Sequence, residues 1–338
     1  MKYIVCETPG TFLLKDKKEP QLAKGQAKLK IHKVGICGTD LHAYQGNQAF
    51  FSYPRILGHE LSAEVVEIDS DESEIKAGDK VVIIPYISCN QCIACKAGKT
   101  NCCTNIEVLG IHTDGGMQEH IVVPIRLLIP APKLSNDEMC IVEPLAIGAH
   151  AIKRANIQQN ETVVVVGCGP IGIGIIKLAQ LAGAEVIAID ANQHRLDYAK
   201  NKIGADHVVL ANKDSIDQVS ALTNGDLATA VFDATGNKAA LESGINYMSH
   251  GGRYILVGLS KGELQFEHPA IHAKETTLLC SRNATVEDFI NIIKVLEENK
   301  FPTDSFITHA THFTQMAAEF EEWLDPANGV IKAVVNFN

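Results

Sequence analysis

No stretch of this chain is apolar enough to cross a bilayer. A transmembrane helix needs about 20 consecutive apolar residues. The most apolar run, 162–176, is fenced by Glu161 and Lys177 and broken by four glycines and a proline. The opening residues, MKYIVCETPG, lack the apolar region of a secretory signal, which predicts a cytoplasmic protein with no membrane partner. Positive charge is scarce too: 30 Lys+Arg stand against 40 Asp+Glu, a net charge of −10. That deficit argues against a nucleic-acid or anionic-membrane binder, but not against a small anionic substrate met by one local cation. Neither internal repeats nor low-complexity tracts occur.

At 338 residues, 46% apolar and 21% charged, the chain has the composition of a globular protein and the length of two domains. Since secretion is not expected, its ten cysteines read as thiols or metal ligands rather than a disulfide framework.

The texture of the chain changes once. Up to about residue 145 short strands are punctuated by turn residues: 27–31 (AKLKI) alternates polar and apolar, and 61–68 and 80–84 continue the style. This predicts an irregular β-barrel or sandwich with long loops. After Glu143-Pro144, apolar strands at 162–166, 185–189, 205–210, 230–233 and 252–257 alternate with helical patterns at 171–182 and 193–202. Such alternation implies βαβ units and a parallel sheet. An amphipathic helix over 286–298 and a strand over 330–335 close the chain.

Three constellations carry chemistry. Cys89-x2-Cys92-x2-Cys95-x7-Cys103 can close a tetrahedral zinc site, and four thiolates leave no position for substrate, so this zinc is structural. Cys102, beside Cys103, is the alternative fourth ligand. Cys37-Gly-Thr-Asp-Leu-His42, followed by Gly58-His59-Glu60 and by Glu143, offers a thiolate, an imidazole and carboxylates, a set that keeps a coordination position open for catalysis. Asp40 suits the outer role of accepting a hydrogen bond from the ligating imidazole. Finally, Gly167-Cys-Gly169-Pro170-Ile171-Gly172 follows a strand and opens a helix, the setting in which a glycine motif cradles a pyrophosphate at a helix N-terminus. Asp190, 18 residues on, can accept both ribose hydroxyls and repel a 2′-phosphate, favouring NAD over NADP; Arg195 could instead turn to such a phosphate.

In this order the residues resemble the zinc-dependent medium-chain alcohol and polyol dehydrogenases across essentially the whole chain. The resemblance implies an α/β protein: a GroES-like β-rich catalytic domain at 1–143, completed by 283–338, and a Rossmann doubly wound parallel-sheet domain at 144–282. It implies two zinc ions per chain. Cys37 and His59 would hold the catalytic one with Glu60 or Glu143, the order of those two carboxylates being open. Glu143, where classical alcohol dehydrogenases carry cysteine, places the chain nearer the polyol branch. By the same resemblance Thr39 takes a proton from the substrate hydroxyl and passes it by way of the cofactor ribose to His42. Residues 46–59 and 261–289 further resemble the bacterial L-galactonate/L-gulonate 5-dehydrogenases, which oxidise the C5 hydroxyl of a sugar acid. Arg282 then becomes the candidate partner of a substrate carboxylate, and Phe50, Phe51 and Tyr53 candidate pocket walls. A polyol substrate and a non-catalytic member of the fold are the rival readings. Homodimers and homotetramers are usual in the family.

Overall fold

The computed structural model describes residues 1–48, 51–70 and 73–337; Phe50 lies outside them. The chain divides into two compact units, Met1–Pro144 with Thr285–Asn338, and Leu145–Ala284. Among the described residues no helix is long and apolar enough to cross a membrane.

The first unit is built on a seven-stranded sheet whose centre is Gln26–Gly35. Along one edge this strand pairs antiparallel with Glu60–Ile68; along the other it pairs with His120–Pro124 and then with Lys332–Asn336. Its alternation is real burial: Ala27, Leu29 and Ile31 are inside while Lys30 is exposed. They join Val34, Leu61, Val65, Val81 and Ile83 in one core, capped by Phe313, Phe320 and Trp323 from the end of the chain. Two neighbouring registers decide the chemistry below. Gly35 stands opposite Glu60 on one side and opposite Val334 on the other.

The second unit carries a six-stranded sheet, parallel throughout, in the order His207–Leu210, Glu185–Asp190, Thr162–Val166, Ala228–Asp233, Met248–Leu256, Thr277–Cys280. Val163, Val164 and Val165 are fully buried, as strands covered on both faces must be. From Thr162–Val166 the chain first adds strands on one side and later on the other. In open α/β sheets, ligands bind beyond the carboxyl ends of strands at that switch.

Glu143-Pro144, the border in the sequence reading, stands at the end of the segment Met1–Pro144 and also inside the helix Asn136–Ala155. The proline interrupts the hydrogen-bond ladder without ending the helix, and Glu143 is therefore carried on a rigid element rather than a linker.

Candidate active site

Cys37 caps the short helix Gly38–Tyr44, and His59-Glu60 sit where the strand Glu60–Ile68 begins. Asp40, 1% exposed, ties the two together: its carboxylate accepts from the Cys37 amide at 2.9 Å and from the Gly58 amide at 3.4 Å. The expected hydrogen bond from His59 to Asp40 is not formed. Asp40 spends its oxygens on backbone amides, bracing the loops that carry the two donors, and His59 Nδ1 stays buried with no partner among the described residues.

Donor atoms of Cys37, His59 and Glu60 all lie within 4.8 Å of one another. Burial pulls the His59 imidazole towards neutrality, but the hydrogen-bonded Cys37 and the carboxylates of Asp40 and Glu143 outweigh it and hold it well above its ordinary value. A pocket that draws a proton this strongly is one that attracts a cation. Together with the orphaned imidazole nitrogen, this fits a divalent metal.

Glu143 stands one step behind this trio. Its carboxylate is buried and accepts a hydrogen bond from the Tyr86 hydroxyl; burial raises it, opposed by His59, the Tyr86 bond and Lys332. Glu60 pairs with Lys332, itself 1% exposed, whose Nζ also donates to the Ile36 carbonyl at 2.9 Å. Burial drags this lysine down, yet Glu60 and Cys37 together keep it raised, so it is charged. Tyr86 and Lys332 escaped the sequence reading. A lysine in a terminal strand is normally taken as exposed, and no local motif marks either residue.

Thr39 and His42 are three residues apart on the helix that Cys37 caps, His42 exposed in its last turn. Phe51 and Tyr53 pack against Cys6, Ala43 and Leu57, so the structure gives them a packing role.

Cys89, Cys92, Cys95 and Cys103 bring their sulfurs together, and Cys102 is exposed outside the group. The loop that holds them has little apolar interior: Cys92 caps the single turn Ile93–Lys96, and Ile93 points into solvent. Amides of Cys95 and Thr104 draw the Cys92 thiol down to about 5, whereas desolvation and the neighbouring sulfurs push Cys95 up to about 12. Close sulfurs that split so widely compete for protons, a conflict that a shared metal resolves.

In the second unit, Gly167 ends the strand Thr162–Val166 with φ +95°, and Gly169 caps the helix Pro170–Leu181 with Pro170 at its first turn. A Cβ on Gly172 would lie 1.8 Å from the Gly167 carbonyl oxygen, so only glycine permits this close approach. Ile171 continues that first turn. Asp190 ends the next strand, nearly buried, accepting from the Cys168 amide at 2.7 Å and the Asn192 amide at 2.8 Å. A carboxylate has about four lone-pair sites, so two amides leave capacity for a ribose diol. The half-buried Arg195 lies on the following helix, Gln193–Tyr198. Arg282 is exposed just beyond Thr277–Cys280, in this second unit.

Residues 23–133 match the family model described as alcohol dehydrogenase GroES-like domain, and residues 170–298 match zinc-binding dehydrogenase. The chain is 41% identical over 337 residues to L-galactonate-5-dehydrogenase of Escherichia coli K12, covering 100% of this chain and 99% of the relative. This chain belongs to the zinc-type alcohol dehydrogenases. Within that family it is also 33% identical to a sorbitol dehydrogenase of Halalkalibacterium halodurans, covering 91% of this chain and 92% of the other. A crystal structure of an alcohol dehydrogenase (rspB) from E. coli CFT073, complexed with NADH, superposes with a TM-score of 0.93 at 28% identity, over 100% of this chain and 99% of that one. The medium-chain dehydrogenase fold of GroES-like domain and Rossmann sheet, the zinc-type oxidoreductase class and a nicotinamide cofactor follow from this membership.

Proposed function

We propose that this zinc-type dehydrogenase oxidises the C5 hydroxyl of L-galactonate or L-gulonate to a ketone with NAD⁺. The observation that carries the proposal is identity of 41% along the whole chain to an L-galactonate-5-dehydrogenase, joined to the convergence of Cys37, His59 and Glu60.

Cys37 and His59, with Glu60 or Glu143, would hold the catalytic zinc. Bound there, zinc supplies the Lewis acidity that makes a secondary hydroxyl acidic near neutral pH. NAD⁺ supplies the hydride acceptor; Gly167, Gly169, Pro170, Ile171 and Gly172 would seat its pyrophosphate and Asp190 its ribose hydroxyls. Thr39 Oγ1 takes the hydroxyl proton as it passes its own on, by way of the cofactor ribose, to the exposed His42 imidazole, which hands it to water. Asp40 keeps the Cys37 and His59 loops fixed while this happens. Cys89, Cys92, Cys95 and Cys103 would hold the second, structural zinc. The reading extends to a cytoplasmic homodimer or homotetramer.

Arg282 is the cation offered to the substrate carboxylate. Losing a charge-assisted contact costs about 1.5–3 kcal/mol, roughly 10- to 100-fold in kcat/KM. Arg282→Ala should lose that much on L-galactonate or L-gulonate and less on the matching hexitol. Likeness to a sorbitol dehydrogenase keeps a polyol as the second reading. NADH formation across aldonates, hexitols, threonine and simple alcohols separates them: a wild-type enzyme faster on hexitols than on aldonates ends the sugar-acid proposal.

A further inference from the structure

The ion pair between Glu60 and Lys332 puts a full positive charge, 1% exposed, against a carboxylate that belongs to the candidate metal set. Strand register brings this about. Glu60 and Val334 flank Gly35 in the sheet, and Lys332, two residues before Val334, faces the same side. Gly35 leaves the space in which they meet: a Cβ there would lie 2.1 Å from Glu60 Oε2 and 3.1 Å from Lys332 Cε. The Ile36 carbonyl, 2.9 Å from Nζ, fixes the ammonium in place. A fixed cation and a metal thus compete for one carboxylate. The buried carboxylates of Asp40, Glu60 and Glu143 crowd this site beside Cys37, and the Lys332 ammonium offsets part of that negative charge.

We propose that Lys332 is a positioning residue that draws Glu60 away from the metal, so that a coordination position stays available to substrate. The proposal rests on the reading of this cluster as the catalytic zinc centre, with Cys37, His59 and Glu143 as the ligands that remain when Glu60 is drawn off. Without the ammonium, the zinc is the cation left for Glu60, and the carboxylate closes onto it.

Zinc release from the holoenzyme into a chromogenic chelator tests this, with the four-cysteine zinc, which none of the variants touches, as internal standard. Loss of an outer partner ordinarily weakens a metal site, by about 10- to 100-fold in affinity. Lys332→Met should do the opposite, slowing release of the catalytic zinc by roughly tenfold, the scale of such outer-partner effects. Lys332→Arg, keeping the cation, should restore wild-type release, and Glu60→Gln combined with Lys332→Met should abolish the slowing. Gly35→Ala wedges the pair apart with both charges kept, so it must slow release as well, and it serves where Lys332→Met fails to fold. Release as fast as wild type or faster in Lys332→Met or Gly35→Ala overturns the proposal, as does a double variant as slow as the single one. A wild-type enzyme that releases zinc in a single phase would instead remove the metal reading on which the proposal rests.

Discussion

At the scale of single residues, the proposed function makes Asp190 the group that would discriminate between cofactors. Its oxygens already accept the Cys168 and Asn192 amides, so it is held rigidly where the ribose would lie, and a fixed anion there disfavours a 2′-phosphate. Wild type should prefer NAD⁺ in kcat/KM. Asp190→Ala should lose on the order of 10-fold or more with NAD⁺, the effect of one charged contact, while gaining with NADP⁺, towards which Arg195 is then free to act. Steady-state kinetics with both cofactors decide the matter; a wild-type preference for NADP⁺ refutes this role. Residues of this kind were legible because their meaning is local. Gly172 must be glycine on account of a carbonyl five residues earlier, and Asp190 lies one βα unit away. Lys332 and Tyr86 were illegible for the opposite reason. Their partners, Glu60 and Glu143, are distant along the chain, and only the antiparallel register over Gly35 turns a lysine in a terminal strand into part of the site.

At the scale of elements, five of the six strands of the second unit were readable from buried apolar runs, whereas the largely exposed strand Thr277–Cys280 and the helix Asn136–Ala155 were not. Pro144 and Gly148 interrupt its pattern, and both normally mark an end. Packing overrides them: Val142, Leu145 and Ala146 are fully buried within it. The four-cysteine lobe is the reverse case, with spacing plain in the sequence and little core to hold it. Its proton balance gives a pH prediction. The Cys92 thiol, brought from the ordinary 9 down to about 5 by amide hydrogen bonds, is a depressed acid. The stability linked to its ionisation is complete above about pH 9 and fades as pH falls through about 5. In zinc-stripped enzyme the lobe should lose its order and these amide bonds, so iodoacetamide should modify Cys92 and Cys95 alike, while bound zinc should protect both. Peptide mapping by mass spectrometry reads the labelling, and equally fast labelling with zinc bound would contradict this assignment.

At the scale of the whole molecule, the two cysteine-bearing sites differ in what surrounds them, and that difference assigns them different work. Cys37, His59 and Glu60 are embedded beside the main core of the first unit, next to Ile36, Leu57 and Leu61, all buried. The four-cysteine loop has only Cys103 buried among its sulfurs. On the proposed reading its order would depend on a bound ion, because binding free energy at such a site is folding free energy. Two zinc ions per chain are expected, and removing each should have a distinct signature. Cys37→Ser should lose turnover and one zinc while the thermal transition stays close to wild type. Cys95→Ser should lose the other zinc together with a large part of the unfolding free energy, and should become protease-sensitive near residues 89–103. Zinc content, calorimetry and limited proteolysis on the same preparations test the assignment. It fails if fresh wild-type enzyme holds a single zinc, or if Cys37→Ser proves the less stable of the two, since the open site would then be the one on which the fold depends.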